Sequence, residues 1–333
     1  MNEQIINTYY IRFVRIIGIF IICIFVIVGI LFYFFGPVKI KSEAIIFTVP
    51  QNITGFNPVS LLASHKYIRN PFGFRLLLTW FSGGETVKPG GYRLDKQMNA
   101  WQVMKKVTGK PDLLWVTISG CQRKEQIGEK LAGIFGWDKS YVDRWNNAYT
   151  TLSEDYKEGV YYPDTYLIPV DEAPEIVAKR FIAKFNEAFA PLAVKFLAKN
   201  IRWVTGLKIA SLIARESGGA DDMKRISGII WNRLDQGIPL QIDATMQYTE
   251  GQRSDGSWWG PVDLTEKKND SPYNSYLYKG LPPTPICSPA IDKIDAVLNP
   301  EDTDCLYYLH DHNKKIHCAK TYEEHKANIA TYL

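Results

Sequence analysis

Between Ile209 and Gly219 the chain reads IASLIARESGG. Ile209, Leu212 and Ile213 precede Glu216 by seven, four and three positions, so the spacing predicts an amphipathic helix with a glutamate on its apolar stripe. Lys208, Ser211 and Arg215 fall on the opposite face, which the pattern assigns to solvent. Gly218 and Gly219 predict the helix end. A carboxyl where a core leucine belongs has to be paired, held neutral or used. The ordinary alternative to use is an ion pair with Arg225 or Arg233. Asp222 is placed to cap a second helix whose Met223, Ile226, Ile230 and Leu234 face inward, and Gly237 and Pro239 stop it.

Upstream, three stretches repeat a strand-then-helix pattern: AIIFTVPQNITGFNPVSLLAS, GGYRLDKQMNAWQVMKKVTG and LLWVTISGCQRKEQIGEKLAGIF. Small units of this kind pack as α+β modules. Downstream, residues 251–289 are dense in Pro, Gly, Tyr and Trp, and a loop that long inside a domain is more often functional than ornamental. A hairpin over CLYYLHDHNKKIHC and a helix from about Thr321 follow.

The longest apolar run is Ile16–Phe35, twenty residues without a charge, which as a helix spans roughly 30 Å, the thickness of a bilayer core. No small-residue cleavage site follows it in GPVKIKSE, which favours an uncleaved anchor. Arg12 and Arg15 before the run are matched by Lys39 and Lys41 after it, so charge alone does not orient it.

Composition changes this picture little. The 333 residues allow about two domains, and a net charge of +4 with dispersed Lys and Arg leaves no nucleic-acid footprint. Of five cysteines, Cys23 lies in the apolar run, and Cys305 and Cys318 flank the hairpin. In an oxidising compartment these two can bridge; two small buried thiols are the commoner outcome and the one expected. His310, His312 and His317 do not by their spacing make a metal site.

Five segments in order, EGVYYPDTYLIP, KIASLIARES, IIWNRLDQGIPLQIDATMQY, SPYNSY and GLPPTPICSPA, resemble the motif series of the MltG-type, or YceG-like, endolytic murein transglycosylases. The resemblance extends over essentially the whole chain. It implies an α+β protein with a cytoplasmic N-terminus (1–15), a transmembrane helix (16–35), a LysM-like module (36–110) and a catalytic domain (111–333) that begins with a second LysM-like strand–helix unit. It further implies a single-pass inner-membrane enzyme with its bulk on the extracytoplasmic side, acting on peptidoglycan glycan strands. The implied reaction cleaves the β-1,4 bond between MurNAc and GlcNAc and leaves 1,6-anhydro ends. Peptidoglycan synthases or division proteins are family-level partners, and no cofactor, metal or nucleic acid is implied.

Glu216 matches the family's catalytic glutamate. For substrate binding the resemblance points to Glu158, Asn232, Gln241, Asp243, Tyr273 and Asn274. Glu158 reads equally as a loop carboxylate, Asn232 as a helix-surface amide and Tyr273 as loop packing. Asp164 and Tyr166 are expected to hold the YYPDTY turn together. Two positions depart from the family: Ala214, where a glutamate is frequent, and Thr284, where glycine is common. A muramidase giving reducing ends and an inactive glycan-binding scaffold are the competing functions.

Overall fold

The computed structural model describes residues 2–333 except 53, 84–85, 150–157, 220 and 264. Helix α1 (Asn2–Phe35) begins well before the predicted span, and its segment Arg12–Phe35 is long and apolar enough to cross a membrane. Then come β1 (Ile45–Val49), α2 (Pro58–Ser64), α3 (Pro71–Phe81), β2 (Gly90–Leu94), α4 (Ala100–Thr108), β3 (Leu113–Thr117), α5 (Lys124–Phe135) and α6 (Lys139–Arg144). After the π-helical turn Trp145–Tyr149 lie β4 (Thr165–Pro169), α7 (Pro174–Ala198), α8 (Trp203–Glu216), α9 (Met223–Asp235) and α10 (Asp243–Glu250). The chain continues with a 3-10 turn (Glu266–Lys268), α11 (Ile291–Leu298), β5 (Tyr307–His310), β6 (Ile316–Ala319) and α12 (Tyr322–Tyr332). All three strand–helix repeats read from the sequence are present.

The chain packs as two units, Met1–Val116 with Tyr166–Asp171, and Thr117–Thr165 with Glu172–Leu333. In the first, a sheet of order β1-β2-β3-β4 pairs β1 antiparallel to β2, with Phe47 opposite Tyr92. Alternation sends Phe47, Val49, Tyr92 and Leu94 to one face, where they meet Val59 and Leu62 of α2, Phe74 and Leu77 of α3, and Val103, Met104 and Val107 of α4. Asparagine starts each of these helices: Asn57, Asn70 and Asn99 accept from Ser60, Gly73 and Gln102 N–H groups. Gly90 is required, because its φ is +146° and a Cβ would lie 2.6 Å from Pro111 and 2.7 Å from the Leu113 carbonyl.

In the second unit α8 is the central helix. It packs against α7, α9, α10 and α11, and from Gly206 to Ile213 only Lys208 escapes full burial. Phe196 of α7 comes so close to Gly206 that a Cβ there would lie 2.2 Å from its ring. The expected solvent face of α8 is corrected here. Ser211 is fully buried, its hydroxyl donating to Lys208 O and accepting from Ile286 N, and Arg215 lies over the Trp259 ring at 4.1 Å.

The cysteine expectation is also corrected: Cys305 and Cys318 are disulfide-bonded, and so are Cys121 and Cys287. In the hairpin Cys318 stands opposite Tyr308, and the Leu306 N–H donates to Ala319 O, which leaves Cys305 just before β5 with its Cα 5.9 Å from that of Cys318. The second joins residues 166 positions apart, and both its sulfurs lie at the Ser211 carbonyl.

Candidate active site

Helix α8 ends at Glu216 because Ser217 turns to extended backbone (φ −71°, ψ 129°). The acid thus sits at the C-terminal pole of a buried helix, where unpaired carbonyls and the helix dipole disfavour negative charge. It faces a cavity of about 320 Å³ whose other polar walls include Arg233, Gln241, Asp243, Tyr276 and Tyr308. The Tyr308 hydroxyl, on β5, donates to Glu216 Oε2 at 2.7 Å.

Burial is the largest influence on Glu216 and raises its pKa above the usual carboxyl value. The Tyr308 hydrogen bond opposes that rise, the Asp243 charge adds to it, and the charges of His310 and Arg215 oppose it. Burial, reinforced by Glu216 itself, pushes the Tyr308 hydroxyl well above its ordinary value, so it stays a donor.

No ion pair of the expected kind forms. Arg225 pairs with Glu301 at 2.9 Å. Arg233 is buried and spends its guanidinium on the carbonyls of Leu306, Pro239 and Leu240, tying the PLQ loop to the hairpin. Asp222 occupies the start of α9 without capping it. Its carboxylate accepts from Gly218 N at 2.8 Å and bonds His310 Nε2 at 2.7 Å, which holds the loop leaving Glu216 against the hairpin. His317 is likewise bonded, to Asp311 at 3.0 Å.

Gln241 and Asp243 join Glu216 at the cavity. Gln241 has φ +55°, a left-handed conformation unusual for a side-chain-bearing residue, held by its N–H to Ser275 O at 2.9 Å. Asp243 opens α10, pairs with Lys267 Nζ at 3.0 Å and accepts the Tyr276 hydroxyl.

The other four candidates lie outside that cavity's lining. Asn232 donates to the carbonyls of Thr303 and Cys305, at 2.6 and 3.2 Å. Asn274 is fully buried: its amide donates to Lys267 O and Asn269 O, and its oxygen accepts from Tyr276 N and Leu277 N. Tyr273 packs against Tyr248 with the rings tilted by 41° and centroids 4.9 Å apart, and shares a hydrogen bond with the Thr284 hydroxyl at 2.8 Å. Glu158 is buried at the N-terminus of α5, accepting from Lys124 N at 3.1 Å and Gly159 N at 3.2 Å, with the Tyr248 hydroxyl at 3.5 Å. Burial, aided by the Glu125 charge, raises its pKa to about 8 against the opposing Lys124 N–H, Arg123 and Lys124. Asp164 does brace its turn, accepting from Thr165 N and, through its carbonyl, from Ile118 N.

Sequence reasoning missed Tyr308 and Tyr276 as site residues. Tyr276 is inside the SPYNSY motif, and Tyr308 is inside the recognised hairpin, but nothing in their spacing tells which tyrosine turns towards an acid 92 residues away.

A mixed helix-and-sheet protein with a partly buried glutamate at the end of its central helix is the class that fold and cleft define. The chain belongs to the YceG-like family, whose profile matches residues 47–331. An endolytic murein transglycosylase of Streptococcus pneumoniae (strain D39) is 26% identical over 280 residues, covering 74% of this chain and 51% of that protein. The chain therefore spans about half the length of that relative. One of Bacillus subtilis (strain 168), also named endolytic murein transglycosylase, is 26% identical over 326 residues, covering 89% and 87%. The crystal structure of a YceG-like protein from Listeria monocytogenes superposes with a TM-score of 0.57 and 26% identity, over 86% of this chain and 98% of that one.

Proposed function

We propose that this protein is a membrane-anchored endolytic lytic transglycosylase of peptidoglycan, with Glu216 as its general acid and base. The observation that carries the reading is the Glu216 carboxyl itself: desolvated, at a helix C-terminus, open to a cavity and oriented by Tyr308. A carboxyl with a raised pKa holds a proton near neutral pH, as a general acid must. It protonates the departing glycosidic oxygen while the bond from that oxygen to the muramic acid C1 breaks. The resulting carboxylate then takes the proton of the same sugar's C6 hydroxyl as that oxygen bonds to C1. No water is consumed, and the anhydro end forms. One acid suffices because the nucleophile is already tethered to the reacting sugar.

Gln241, with its constrained backbone, and Asp243 are the side chains on this cavity suited to hold sugar hydroxyl and N-acetyl groups. Asn232 and Asn274 act behind them, as scaffolding for the hairpin and the SPYNSY loop. The apolar segment Arg12–Phe35 is the anchor. Two disulfides favour an oxidising compartment for the bulk of the chain, hence a cytoplasmic N-terminus. The strand–helix repeats of the first unit are the LysM-like part, suited to glycan binding.

Asp243 favours a second reading, since a second carboxylate on the cavity could activate water and give hydrolysis. Incubating the full chain and Glu216→Gln with purified peptidoglycan, followed by mass spectrometry, separates the two. Anhydro-ended fragments from the unchanged protein only support the transglycosylase. Reducing ends point to a muramidase, and equal product from both proteins removes Glu216 from the chemistry.

A further inference from the structure

The end of α1 is stapled to the first unit rather than tethered loosely. Arg69 Nε donates to Pro37 O at 2.6 Å, and its guanidinium lies 4.7 Å from the Phe32 ring centroid. The N–H groups of Val38 and Lys39 both donate to Lys96 O. Gly73 of α3 sits so close that a Cβ there would touch Phe34 at 3.1 Å and Phe35 at 3.2 Å. These contacts hold α3 and α4 against the last turns of the apolar helix.

Trp101, on α4, shares an almost wholly apolar groove of about 400 Å³ with Val28, Leu31, Phe32 and Phe35 of α1. Val28 precedes Phe35 by seven residues, about 10 Å of helix. The groove therefore runs along the last two turns of the apolar run to Gly36 and Pro37, where a spanning helix passes from acyl chains to headgroups. Trp101 meets Phe81 edge to face at 5.4 Å, and Phe81 adjoins Trp80 at the end of α3. The three are 39%, 56% and 70% exposed. Trp101 and Phe81 thus form one contiguous exposed aromatic pair, with Trp80 next to it in sequence, and exposed apolar clusters of this kind mark interaction surfaces. A cation accompanies them: Lys105 Nζ lies 5.3 Å from the Trp101 centroid. An aromatic pair with a lysine over one ring matches the boundary between acyl chains and phosphates.

We propose that this face of the first unit docks on the phospholipid surface surrounding α1, with Trp80, Phe81 and Trp101 at the acyl–headgroup boundary and Lys105 at the phosphates. The proposal rests on the membrane-anchor reading, and the argument for lipid as occupant is continuity: the patch runs without a break into the apolar helix.

The test reconstitutes the full chain into vesicles of phosphatidylethanolamine and phosphatidylglycerol carrying doxyl-labelled lipid. A fluorophore on Cys23, the free cysteine among the described residues, reports the anchor. Intrinsic tryptophan emission reports the patch, comparing the unchanged protein with the conservative double variant Trp80→Phe, Trp101→Phe. The expected result is quenching of the Cys23 probe in both proteins, and tryptophan quenching that is present in the unchanged protein and lost in the double variant. Quenched Cys23 with unquenched tryptophan overturns the docking, leaves the anchor standing and hands the face to a protein helix. Equal tryptophan quenching in the two proteins overturns the assignment to this patch. An unquenched Cys23 probe overturns the anchor and the docking together.

Discussion

The second unit holds two desolvated glutamates whose surroundings differ in one decisive respect. Glu158 is sealed at the N-terminus of α5, where backbone N–H groups occupy its oxygens. Glu216 is at the opposite kind of helix end, the C-terminus of α8, and its carboxyl opens on a cavity. Both pKa values are raised, chiefly by burial. A perturbed acid is therefore not by itself a reactive one. An open cavity and a hydroxyl partner, not the direction of the pKa shift, distinguish Glu216 from Glu158.

The sharpest break of this comparison is Glu216→Gln against Glu158→Gln. Removing a general acid costs roughly 10²–10⁴-fold in rate, so Glu216→Gln should lose activity to that extent while its thermal midpoint at pH 8 stays level or rises. Glu158→Gln should keep turnover within a few-fold, as read by release of anhydro-ended fragments. Equal losses from the two substitutions would erase the distinction.

The second test uses pH. Glu158 has a folded pKa of about 8 against an unfolded value near the ordinary 4.5, so the native state binds the extra proton between them. Unfolding free energy contributed by this group is greatest below pH 4.5 and declines as pH rises towards 8, by at most about 1.4 kcal/mol per unit. Denaturant titrations of Glu158→Gln should lack that decline, so the variant gains on the unchanged protein across the window. Parallel curves would show that Glu158 is not protonated in the fold.

Tyr308→Phe probes the aiming of Glu216. Losing a hydrogen bond to a neutral group costs about 0.5–1.5 kcal/mol, so turnover should fall by a few-fold to about tenfold. The hydroxyl lowers the Glu216 pKa, and its loss must raise it. The alkaline limb of the pH–rate profile, where Glu216 gives up its proton, should move to higher pH. A limb that stays in place, or moves down, contradicts the geometry.

The smallest effect is expected from Thr284→Gly, which installs the residue common in the family. It removes the hydroxyl bonded to Tyr273, on the Glu158 side of the comparison, and should cost about 1 kcal/mol in stability by denaturant melts. Turnover should scarcely change.

The central feature of the site was legible in the sequence because it is periodic. Ile209, Leu212 and Ile213 put Glu216 on an apolar stripe whatever the fold around it. The strand–helix repeats and the long apolar run were legible for the same local reason. Ser211 was assigned to solvent because a hydroxyl reads as polar, yet the second layer of packing on α8 closes over it and satisfies it with Ile286 N–H and Lys208 O. Helix α7 has apolar residues at four-residue spacing, Val177, Phe181, Phe185 and Phe189, but Pro191 inside it argues against 25 continuous residues. Tyr308 and the Cys121–Cys287 bridge depend on contacts across 92 and 166 residues, which no local pattern encodes. Asn232 and Asn274 show the converse: polar residues in a motif whose groups are consumed by carbonyls and N–H groups of the frame.

The distance in sequence between Glu216 and Tyr308 also sets an order of events during synthesis. At about 5–20 residues per second, the 92 residues between them take roughly 5–20 s to emerge. Through that interval the nascent chain holds α8 without the hydroxyl that aims its acid or the hairpin wall of its cavity. A chain that ends before β5 therefore carries the glutamate with neither the aiming hydroxyl nor that wall.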